Sequence, residues 1–321
     1  MNLPLVSILI PAYNAELYIA ETLESAIAQT WGNIEIIVVD DRSKDATLAI
    51  IKRYESEKVK VISQPNKGAS AARNRALQEA QGNFIQYLDA DDLLAPDKIE
   101  LQLCLLDQDP TSPYIVASEW ARFFHDISEA FFTPSNLWAD KKPIDWLVTA
   151  GTGNLMMHPA AWLVPRHISD KAGIWNEQIS LNDDGEYFGR VILASQEVKF
   201  CHGAKSYYRS GISGSLSGSK SRKAWESAFL AAKLWIDGLL AAENSDRTRY
   251  ACACYWQLFV FMAYPQALDL IKYAEKQIHD LGGCDLVPEG GLMFKVIRQI
   301  LGWRIAMRLQ KLYYQYRQLN R

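Results

Sequence analysis

The sequence predicts an α/β fold with a mostly parallel sheet, helices on both faces of the sheet, and a further helical region towards the C-terminus. Three observations predict it. Short apolar runs alternate with segments of helical periodicity in the first third of the chain. Polar or acidic residues follow several of these runs, and helical periodicity dominates after Lys223. With 321 residues, of which 49% are apolar, the chain can bury a sizeable core.

Four apolar runs near the N-terminus are nearly continuous, which is typical of strands buried on both faces of a parallel sheet. The segments between them place apolar residues at helical spacing, so helices are expected to cover both faces. The predicted strands are Val6–Ile10, Ile34–Val39, Val59–Ile62 and Phe84–Leu88. The predicted helices are Ala15–Thr30, Lys44–Glu57, Ser70–Gln81 with Gly82 as its C-terminal cap, and Pro96–Leu106.

Beyond residue 110 the alternation of strand and helix weakens. Tyr114–Ser118 and Trp162–Val164 are predicted strands, and Gly185–Ala194 is a predicted helix. The segment Ser210–Ser221 is rich in glycine and serine, which predicts either a flexible linker or a mobile lid. We therefore expect an α/β region over residues 1–215, divided near residue 110, followed by a helical region over residues 216–321.

The composition excludes some classes of protein. A net charge of −3 gives no global indication of nucleic-acid binding. The five cysteines show no zinc-ligand spacing and predict reduced thiols in a cytoplasmic protein. The first apolar run lacks a basic flank and ends at Pro11, so it predicts a strand rather than a signal peptide. No stretch is apolar over the ~18 residues that a membrane span needs.

Acidic residues follow two of the predicted strands. Asp40 and Asp41 follow one strand, and Asp89 and Asp91 follow another in the run L-D-A-D-D. Ligands of parallel sheets bind beyond the carboxyl ends of the strands, where Tyr13 also lies. Two close carboxylates recruit a hard cation such as Mg²⁺ or Mn²⁺, and a carboxylate can accept a hydrogen bond from a ring N–H of a nucleobase. Taken alone, each pair is also explained by a solvated turn or a helix cap.

Two further runs carry charged residues before predicted helices. N-K-G-A-S-A-A-R-N contains Lys67, Gly68 and Arg73, and is explained by a helix start or by the counter-charges that a diphosphate needs. L-N-D-D-G-E-Y-F-G-R-V contains Asp183 and Asp184, which can cap the helix. Alternatively, one of these two carboxylates can act as a general base towards an attacking hydroxyl.

Together these runs resemble the motifs of family 2 glycosyltransferases of the GT-A fold. The matching runs are V-S-I-L-I-P-A-Y-N, E-I-I-V-V-D-D-R-S-K-D-A-T, N-K-G-A-S-A-A-R-N, Y-L-D-A-D-D and N-D-D-G-E-Y-F, in the family's order and spacing. The resemblance is strong over residues 5–106, fair to about residue 210 and absent beyond. It implies a GT-A (Rossmann-like) catalytic domain over 1–215, with a nucleotide-sugar-binding half at 1–110 and an acceptor-binding half at 111–215.

The resemblance also implies a role for each matching residue. Asp184 would be the catalytic base, beside Asp183, which stands where the family usually has glutamate. Asp91, together with Asp89, would bind Mg²⁺ or Mn²⁺. The residues implied at the donor nucleotide are Pro11, Tyr13, Asn14, Asp40, Asp41, Lys67, Gly68, Arg73 and Asp89.

Other residues are implied around the acceptor and the donor loop. Trp162 falls in the segment that usually borders the acceptor, and Arg190 is placed on the same side as the partner of a nearby carboxylate. The segment Ser206–Ser217 resembles family loops that fold over the donor. His202 is either a structural histidine or a contributor to the metal and phosphate region.

The function that the resemblance implies is an inverting, metal-dependent transfer of a sugar from a nucleoside diphosphate sugar, UDP-sugar above all. The acceptor would be a hydroxyl of a glycan or of a lipid-linked saccharide in surface polysaccharide biosynthesis. Two alternatives remain. A sugar nucleotidyltransferase would normally show a glycine-rich N-terminal loop with an arginine, and retention of both acidic motifs argues against a non-catalytic nucleotide-sugar-binding relic of the fold.

The C-terminal segment 291–321 mixes apolar and basic residues, and seven basic residues but no acidic residue follow Glu289. The residues that recur at helical spacing are Phe294, Ile297, Leu301, Ile305, Arg308 and Leu312. A helix with this pattern can lie on the anionic inner face of the membrane. It can equally pack on the protein's own core or contact a second copy of the chain in a homodimer.

Overall fold

The computed structural model describes residues 3–212 and 218–319. Strands and α-helices alternate through its first half, and helices alone follow residue 222 in the described part. The strands are β1 Val6–Ala12, β2 Ile34–Asp40, β3 Val59–Ser63, β4 Phe84–Tyr87, β5 Leu93–Leu94, β6 Tyr114–Phe123, β7 Trp162–Pro165 and β8 Glu197–Arg209. The helices are α1 Ile19–Ile27, α2 Thr47–Ile51, α3 Ala69–Glu79, α4 Lys98–Leu105, α5 Pro143–Gly153, α6 Arg166–Ala172, α7 Asp183–Ala194, α8 Arg222–Ala242, α9 Asp246–Ala263, α10 Leu268–Asp280, α11 Leu292–Leu301 and α12 Trp303–Leu319.

The strands form one sheet in the order β3-β2-β1-β4-β7-β6-β8-β5. Strands β1 to β4 pair in parallel with one another, and β6 pairs in parallel with β8. Strand β7 runs antiparallel to both β4 and β6, and β5 runs antiparallel to β8. The predicted α/β fold is confirmed, and the sheet is mixed because β7 and β5 reverse direction.

Alternate residues of the central strands face two separate cores, as period-2 side-chain geometry requires. Ile8 and Ile10 of β1 face a core that contains residues of α1 and α4. Leu9 faces the other core, which is continuous with Trp256 and Phe259 of α9. The C-terminal helices α8 and α9 therefore complete one face of the sheet through α5 and α7, which they contact, and α10 packs on α9.

The first two predicted helices, Ala15–Thr30 and Lys44–Glu57, are shorter in the structure because side chains form hydrogen bonds with the backbone that precedes α1 and α2. Helix α1 begins at Ile19, and Asn14 adopts a left-handed conformation with φ of 49°. The amide of Ala15 donates to Thr47 Oγ1 over 2.7 Å, and the amide of Lys44 donates to Asn14 Oδ1 over 2.8 Å. Such side-chain hydrogen bonds compete with the helical pattern, so the two loops after β1 and β2 are tied together as irregular backbone.

The predicted role of Gly82 as a helix C-cap is wrong. Helix α3 ends at Glu79, with Ala80 as its C-terminal cap in extended conformation. Gly82 instead lies against β1, where its amide donates to Ser7 Oγ over 2.8 Å. A Cβ at this position would lie 2.4 Å from Ser7 Oγ and 2.6 Å from Ser7 N. The glycine is therefore required by close backbone approach.

The C-terminal segment forms two helices instead of the single predicted one. Gly302 separates α11 from α12 with φ of 81°, a conformation that favours glycine. Phe294 of the predicted stripe is buried, whereas Leu301, Ile305 and Leu312 of the stripe are exposed, as are Leu292 and Ile300 outside it. The exposed apolar face therefore matches the predicted stripe only in part. Residues 320 and 321, which include the predicted basic Arg321, lie outside the described residues. No helix in the described ranges is long and apolar enough to span a bilayer.

We expect Gly82→Ala to lower the free energy of unfolding by about 1–3 kcal/mol, because the added methyl forces β1 and the loop between α3 and β4 apart. Urea denaturation followed by circular dichroism measures this change. Gly32→Ala is the matched control, since a Cβ there meets no heavy atom within 4 Å. Equal midpoints for the two variants would contradict the close-approach explanation.

Candidate active site

The loops that follow β1, β2, β3 and β4 meet at one edge of the sheet, because these strands are parallel. The ring of Tyr13 is 46% exposed at this edge, and the side chain of Lys67 is exposed as well. Pro11 lies within β1, and Asn14 holds the loop after β2. The exposed side chains of Tyr13 and Lys67 are thus available to a ligand here.

Asp41 is buried and shapes the loop that leads into α3. Its Oδ1 accepts hydrogen bonds from the amide of Lys67 and from Gln64 Nε2, each over 2.9 Å. Its Oδ2 accepts a hydrogen bond from the amide of Gly68 over 2.7 Å. Gly68 has φ of 94° and directly precedes α3. The carboxylate therefore fixes the backbone of the Lys67–Gly68 loop.

Asp40 is also buried, with 1% of its surface exposed. Its carboxylate accepts a hydrogen bond from the amide of Ser43 over 3.3 Å and from Ser63 Oγ over 3.3 Å. These contacts join the ends of β2 and β3. The predicted contacts of Asp40 and Asp41 with a base or ribose remain predictions, and both side chains first serve to build the edge of the sheet.

Arg73 joins the two acidic motifs of the sequence. Its Nη2 donates to Asp89 Oδ1 and its Nη1 to Asp183 Oδ2, each over 2.7 Å. The residue is 5% exposed, and its guanidinium lies 4.4 Å from the centre of the Trp175 ring. The sequence placed Arg73 at the donor nucleotide, but its guanidinium is committed to two carboxylates. It holds the metal-type motif and the base-type motif in one crevice.

Trp175, which the sequence analysis did not single out, supports this arginine. Asn74 fixes the tryptophan backbone, since its Oδ1 accepts from Trp175 N over 2.8 Å and its Nδ2 donates to Trp175 O over 2.9 Å. The indole stacks on Tyr187 with ring centres 4.1 Å apart. The Arg-Asn pair in the run A-A-R-N therefore serves the packing of α3 against the loop before α7, which a sequence pattern alone does not reveal.

Asp183 and Asp184 lie in the first turn of α7 and have different surroundings. Asp183 accepts from Arg73 and, over 3.1 Å, from Ser70 Oγ. Asp184 accepts from the amide of Gly185 over 2.9 Å. Burial and the adjacent charge of Asp183 raise the pKa of Asp184 to about 6. A carboxyl with this pKa can exchange a proton near neutral pH, as a general base must.

Asp91 is the carboxylate best suited to a cation. No other described residue donates a hydrogen bond to its carboxylate, and Asp89 and Asp92 lie nearby. Burial, followed by repulsion from Asp92 and Asp89, raises the pKa of Asp91 to about 8. An incoming cation would relieve this repulsion. The described residues contain no ready-made cluster of three metal-binding side chains, but Mg²⁺ is commonly held by one or two carboxylates together with substrate phosphates. Asp91 and Asp89 fit that donor set.

Arg209, at the end of β8, is a site residue that the sequence analysis missed. It is 6% exposed, and its Nε donates to the carbonyl of Asp91 over 2.9 Å. Its guanidinium also contacts Glu21 and lies 4.9 Å from the centre of the Tyr18 ring. The available signal was its position at the end of a strand, directly before a segment rich in glycine and serine.

Three other predicted residues lie elsewhere. Trp162 is 1% exposed and stacks on Phe188 within the core, so its side chain does not border an open acceptor surface. Arg190 pairs with a nearby carboxylate as predicted, but the carboxylate is that of Glu186 on its own helix and not one of the acidic pair before it. His202 is exposed, 3.8 Å from Glu119, and is not among the residues that contact Asp89 or Asp91. Within the predicted donor loop Ser206–Ser217, residues 213–217 lie outside the described residues.

One edge of the sheet thus brings together the L-D-A-D-D turn, the buried Arg73 and Asp184, whose pKa is raised to about 6. Comparison with known proteins agrees with the resemblance found in the sequence. Residues 7–150 match the family described as Glycosyl transferase family 2. This part of the chain is therefore a glycosyltransferase family 2 domain.

Two curated relatives and one solved structure are similar to the chain. An uncharacterized glycosyltransferase of Rickettsia typhi is 32% identical over 199 residues, which are 62% of each chain. Chondroitin synthase of Escherichia coli is 46% identical over 104 residues, which are 32% of this chain and 15% of that enzyme. The chain thus spans less than two thirds of either relative. A crystal structure of S. aureus TarS 1–349 in complex with UDP-GlcNAc is 18% identical, with a TM-score of 0.62 over 86% of this chain and 88% of that one, and confirms the GT-A fold.

We expect Arg73→Met to lower the free energy of unfolding by about 3–5 kcal/mol, because two partly buried carboxylates lose their shared, buried counter-charge. Arg73→Lys should recover only part of the loss, since one ammonium cannot hold both carboxylates in fork geometry. Urea denaturation measures both variants.

Arg75→Met is the matched control on the same helix. Arg75 is exposed and pairs with Glu79 one turn away, so its loss should cost only about 0.3–0.5 kcal/mol. Similar destabilisation by Arg73→Met and Arg75→Met would refute the bridging role of Arg73.

Proposed function

We propose that the protein is an inverting glycosyltransferase that moves a sugar from a nucleoside diphosphate sugar to a hydroxyl of a glycan or lipid-linked acceptor in surface polysaccharide biosynthesis. The observation that carries the proposal is the Arg73 bridge, because it gathers Asp89, Asp183 and their reactive neighbours in one crevice. The complex of TarS with UDP-GlcNAc supports a UDP-sugar as donor. The similarity to chondroitin synthase supports a polysaccharide product.

The donor is proposed to bind over the loops after β1 and β3. The exposed Tyr13 ring offers a face for the base, and the Lys67 ammonium offers positive charge to the diphosphate. Residues 1–110 would thus form the donor half and 111–215 the acceptor half of a catalytic domain, with 216–321 as a helical region. We propose that Asp91, together with Asp89, holds Mg²⁺ or Mn²⁺, which when bound neutralises negative charge on the departing diphosphate.

Asp184 is proposed to act on the acceptor. Its carboxylate takes the proton of the acceptor hydroxyl as the hydroxyl attacks the anomeric carbon from the face opposite the diphosphate. A single displacement of this kind inverts the anomeric configuration and requires no protein nucleophile. Asp183 cannot share the task, because Arg73 and Ser70 occupy one of its oxygens and the amide of Asp184 the other.

We expect Asp184→Asn to lower the rate of sugar transfer by roughly 10²–10⁴-fold, because the attacking hydroxyl loses its proton acceptor. Release of UDP from a panel of UDP-sugars, with and without acceptor, measures the rate. In the wild type, kcat/KM should fall about tenfold per pH unit below about pH 6, because protonation of Asp184 removes the base.

Glu186→Gln is the control for Asp184→Asn. Glu186 lies in the same helical turn but pairs with Arg190, so this variant should keep the rate and the pH profile. Full activity of Asp184→Asn would remove the base assignment. Formation of a nucleotide sugar from a nucleoside triphosphate would indicate a nucleotidyltransferase instead, and UDP-sugar binding without turnover would indicate a non-catalytic relic.

We further propose that α11 and α12 attach the protein to an anionic membrane surface, which fits a cytoplasmic enzyme with a lipid-linked acceptor. On α11, Leu292 and Ile300 are 82% and 73% exposed. On α12, Ile305, Leu309 and Leu312 recur at helical spacing and are 42–60% exposed. The opposite side of α12 packs on the core through Trp303 and Ala306. The outer side therefore presents apolar side chains that the described chain does not cover.

The charge of this surface favours lipid over a second copy of the chain. Lys295 and Lys311 are exposed beside the apolar residues, and no carboxylate lies within the two helices. A symmetric dimer through this face would bring two sets of like charges together. Anionic headgroups instead complement the lysines while the apolar side chains enter the interface.

We expect the full-length protein to float with vesicles that contain phosphatidylglycerol and to remain in solution with phosphatidylcholine alone. Ile300→Glu should abolish flotation, and each of Lys295→Gln and Lys311→Gln should weaken it roughly fivefold. Leu268→Glu, at an exposed aliphatic residue of α10, is the matched control and should float normally. Two results would overturn the membrane proposal. One is that Ile300→Glu floats as well as the wild type, and the other is that light scattering shows a dimer that this substitution dissociates.

A further inference from the structure

Three fully buried polar side chains form a chain beside the L-D-A-D-D turn. Asp92 Oδ2 lies 3.1 Å from His158 Nδ1, and His158 Nε2 lies 2.8 Å from Ser206 Oγ. All three residues are 0% exposed. They come from the turn after β4, from the segment before β7 and from β8. The proposed transfer reaction does not use any of them.

The order aspartate, histidine, serine is that of a hydrolase triad, but the burial rules out that chemistry. A nucleophilic serine must contact substrate, but Ser206 is fully buried and its hydroxyl donates to the carbonyl of Glu119 over 3.4 Å. The histidine ring is itself packed between Trp120 and Tyr208. Burial lowers the pKa of His158 to about 3, so the ring is neutral. The chain therefore has a role in holding structure.

The hydrogen bonds of Asp92 and His158 hold the turn that carries Asp91. Asp92 Oδ1 accepts a hydrogen bond from the amide of Arg209 over 2.9 Å, and Arg209 Nε donates to the carbonyl of Asp91. With His158 at Oδ2, both oxygens of Asp92 are anchored to elements outside the turn. A neutral ring can donate from Nδ1 to the carboxylate or accept a proton that Asp92 carries, so the contact survives in either state.

We propose that His158 is a positioning residue that fixes the Asp89–Asp92 turn through Asp92, and thereby sets the affinity of Asp91 for the divalent cation. This inference rests on the proposed function, since it concerns the cation of the donor complex. Partners of metal-ligating groups typically alter metal affinity by 10–100-fold when they are removed. The contribution of His158 is made through Asp92 and not through Ser206.

Two substitutions of His158 by amide side chains separate its hydrogen bond with Asp92 from its hydrogen bond with Ser206. In His158→Asn the amide stands where Nδ1 stood, so it keeps the contact with Asp92 and loses Ser206. In His158→Gln the amide stands near the position of Nε2, so it keeps Ser206 and leaves Asp92 without this partner. Both variants remove ring volume from the same buried place, so a loss of packing affects both.

The experiment is calorimetric titration of UDP into the full-length protein over a series of Mn²⁺ concentrations, with thermal unfolding of each variant alongside. We expect His158→Gln to raise the half-saturating Mn²⁺ concentration on the order of tenfold, and His158→Asn to remain near wild type. Both should lower the melting temperature to a similar extent. Asp91→Ala provides the reference for loss of the cation.

Each outcome decides the question. Equal shifts in both variants, or no shift in either, would overturn the positioning role. If His158→Gln does not fold, Ser206→Ala tests the same point from the other end, since it should leave Mn²⁺ affinity unchanged and a large shift would refute the proposal. Wild-type protein that binds UDP without any dependence on Mn²⁺ would instead contradict the metal-dependent donor site itself.

Discussion

The candidate site depends on one buried guanidinium. Arg73 lies 16 positions before Asp89 and 110 positions before Asp183, and it binds both. Burial alone would lower the pKa of Arg73, but the carboxylates of Asp89 and Asp183 outweigh that effect and raise it. An arginine suits this place because its planar fork can serve two carboxylates at once and its face can stack on Trp175. Without it, the two acidic motifs would repel each other across a partly buried crevice.

Each acidic motif contains one carboxylate that binds Arg73 and one that does not. In the turn after β4, Asp89 is neutralised by Arg73, whereas Asp91 has no donor from another described residue. In the first turn of α7, Asp183 is held by Arg73 and Ser70, whereas Asp184 accepts only a local backbone amide. Burial raises the pKa of Asp91 and of Asp184, and it also raises the pKa of the anchored Asp92. Within each pair, unequal hydrogen bonding thus leaves one carboxylate bound to Arg73 and the other without a side-chain donor among the described residues.

Much of the fold follows from the sequence because its signals are local. Continuous apolar runs such as Val6–Ile10 located the strands, and parallel topology placed the acidic residues at one edge. The partners of these residues were not predictable in the same way, because Arg73 could be assigned to Asp183 only by the packing of α3 against the loop before α7. Trp162 shows the opposite error, since an aromatic residue in an acceptor-like segment proved to be core. The sequence pattern does not show which side chains, far apart in the sequence, pack against one another in the buried core.

The same guanidinium also sets the protonation state of the proposed base. Burial and Asp183 raise the pKa of Asp184, and the charge of Arg73 lowers it again, so that it stands at about 6. A base must be strong enough to take a proton from a hydroxyl yet ionised at the working pH, and a pKa just below neutrality satisfies both demands. With the arginine replaced by a neutral side chain, only the hydrogen bond from the Gly185 amide would still oppose burial and Asp183, and the pKa of Asp184 would rise. Arg73, which links the two acidic motifs, therefore also lowers the pKa of the proposed base.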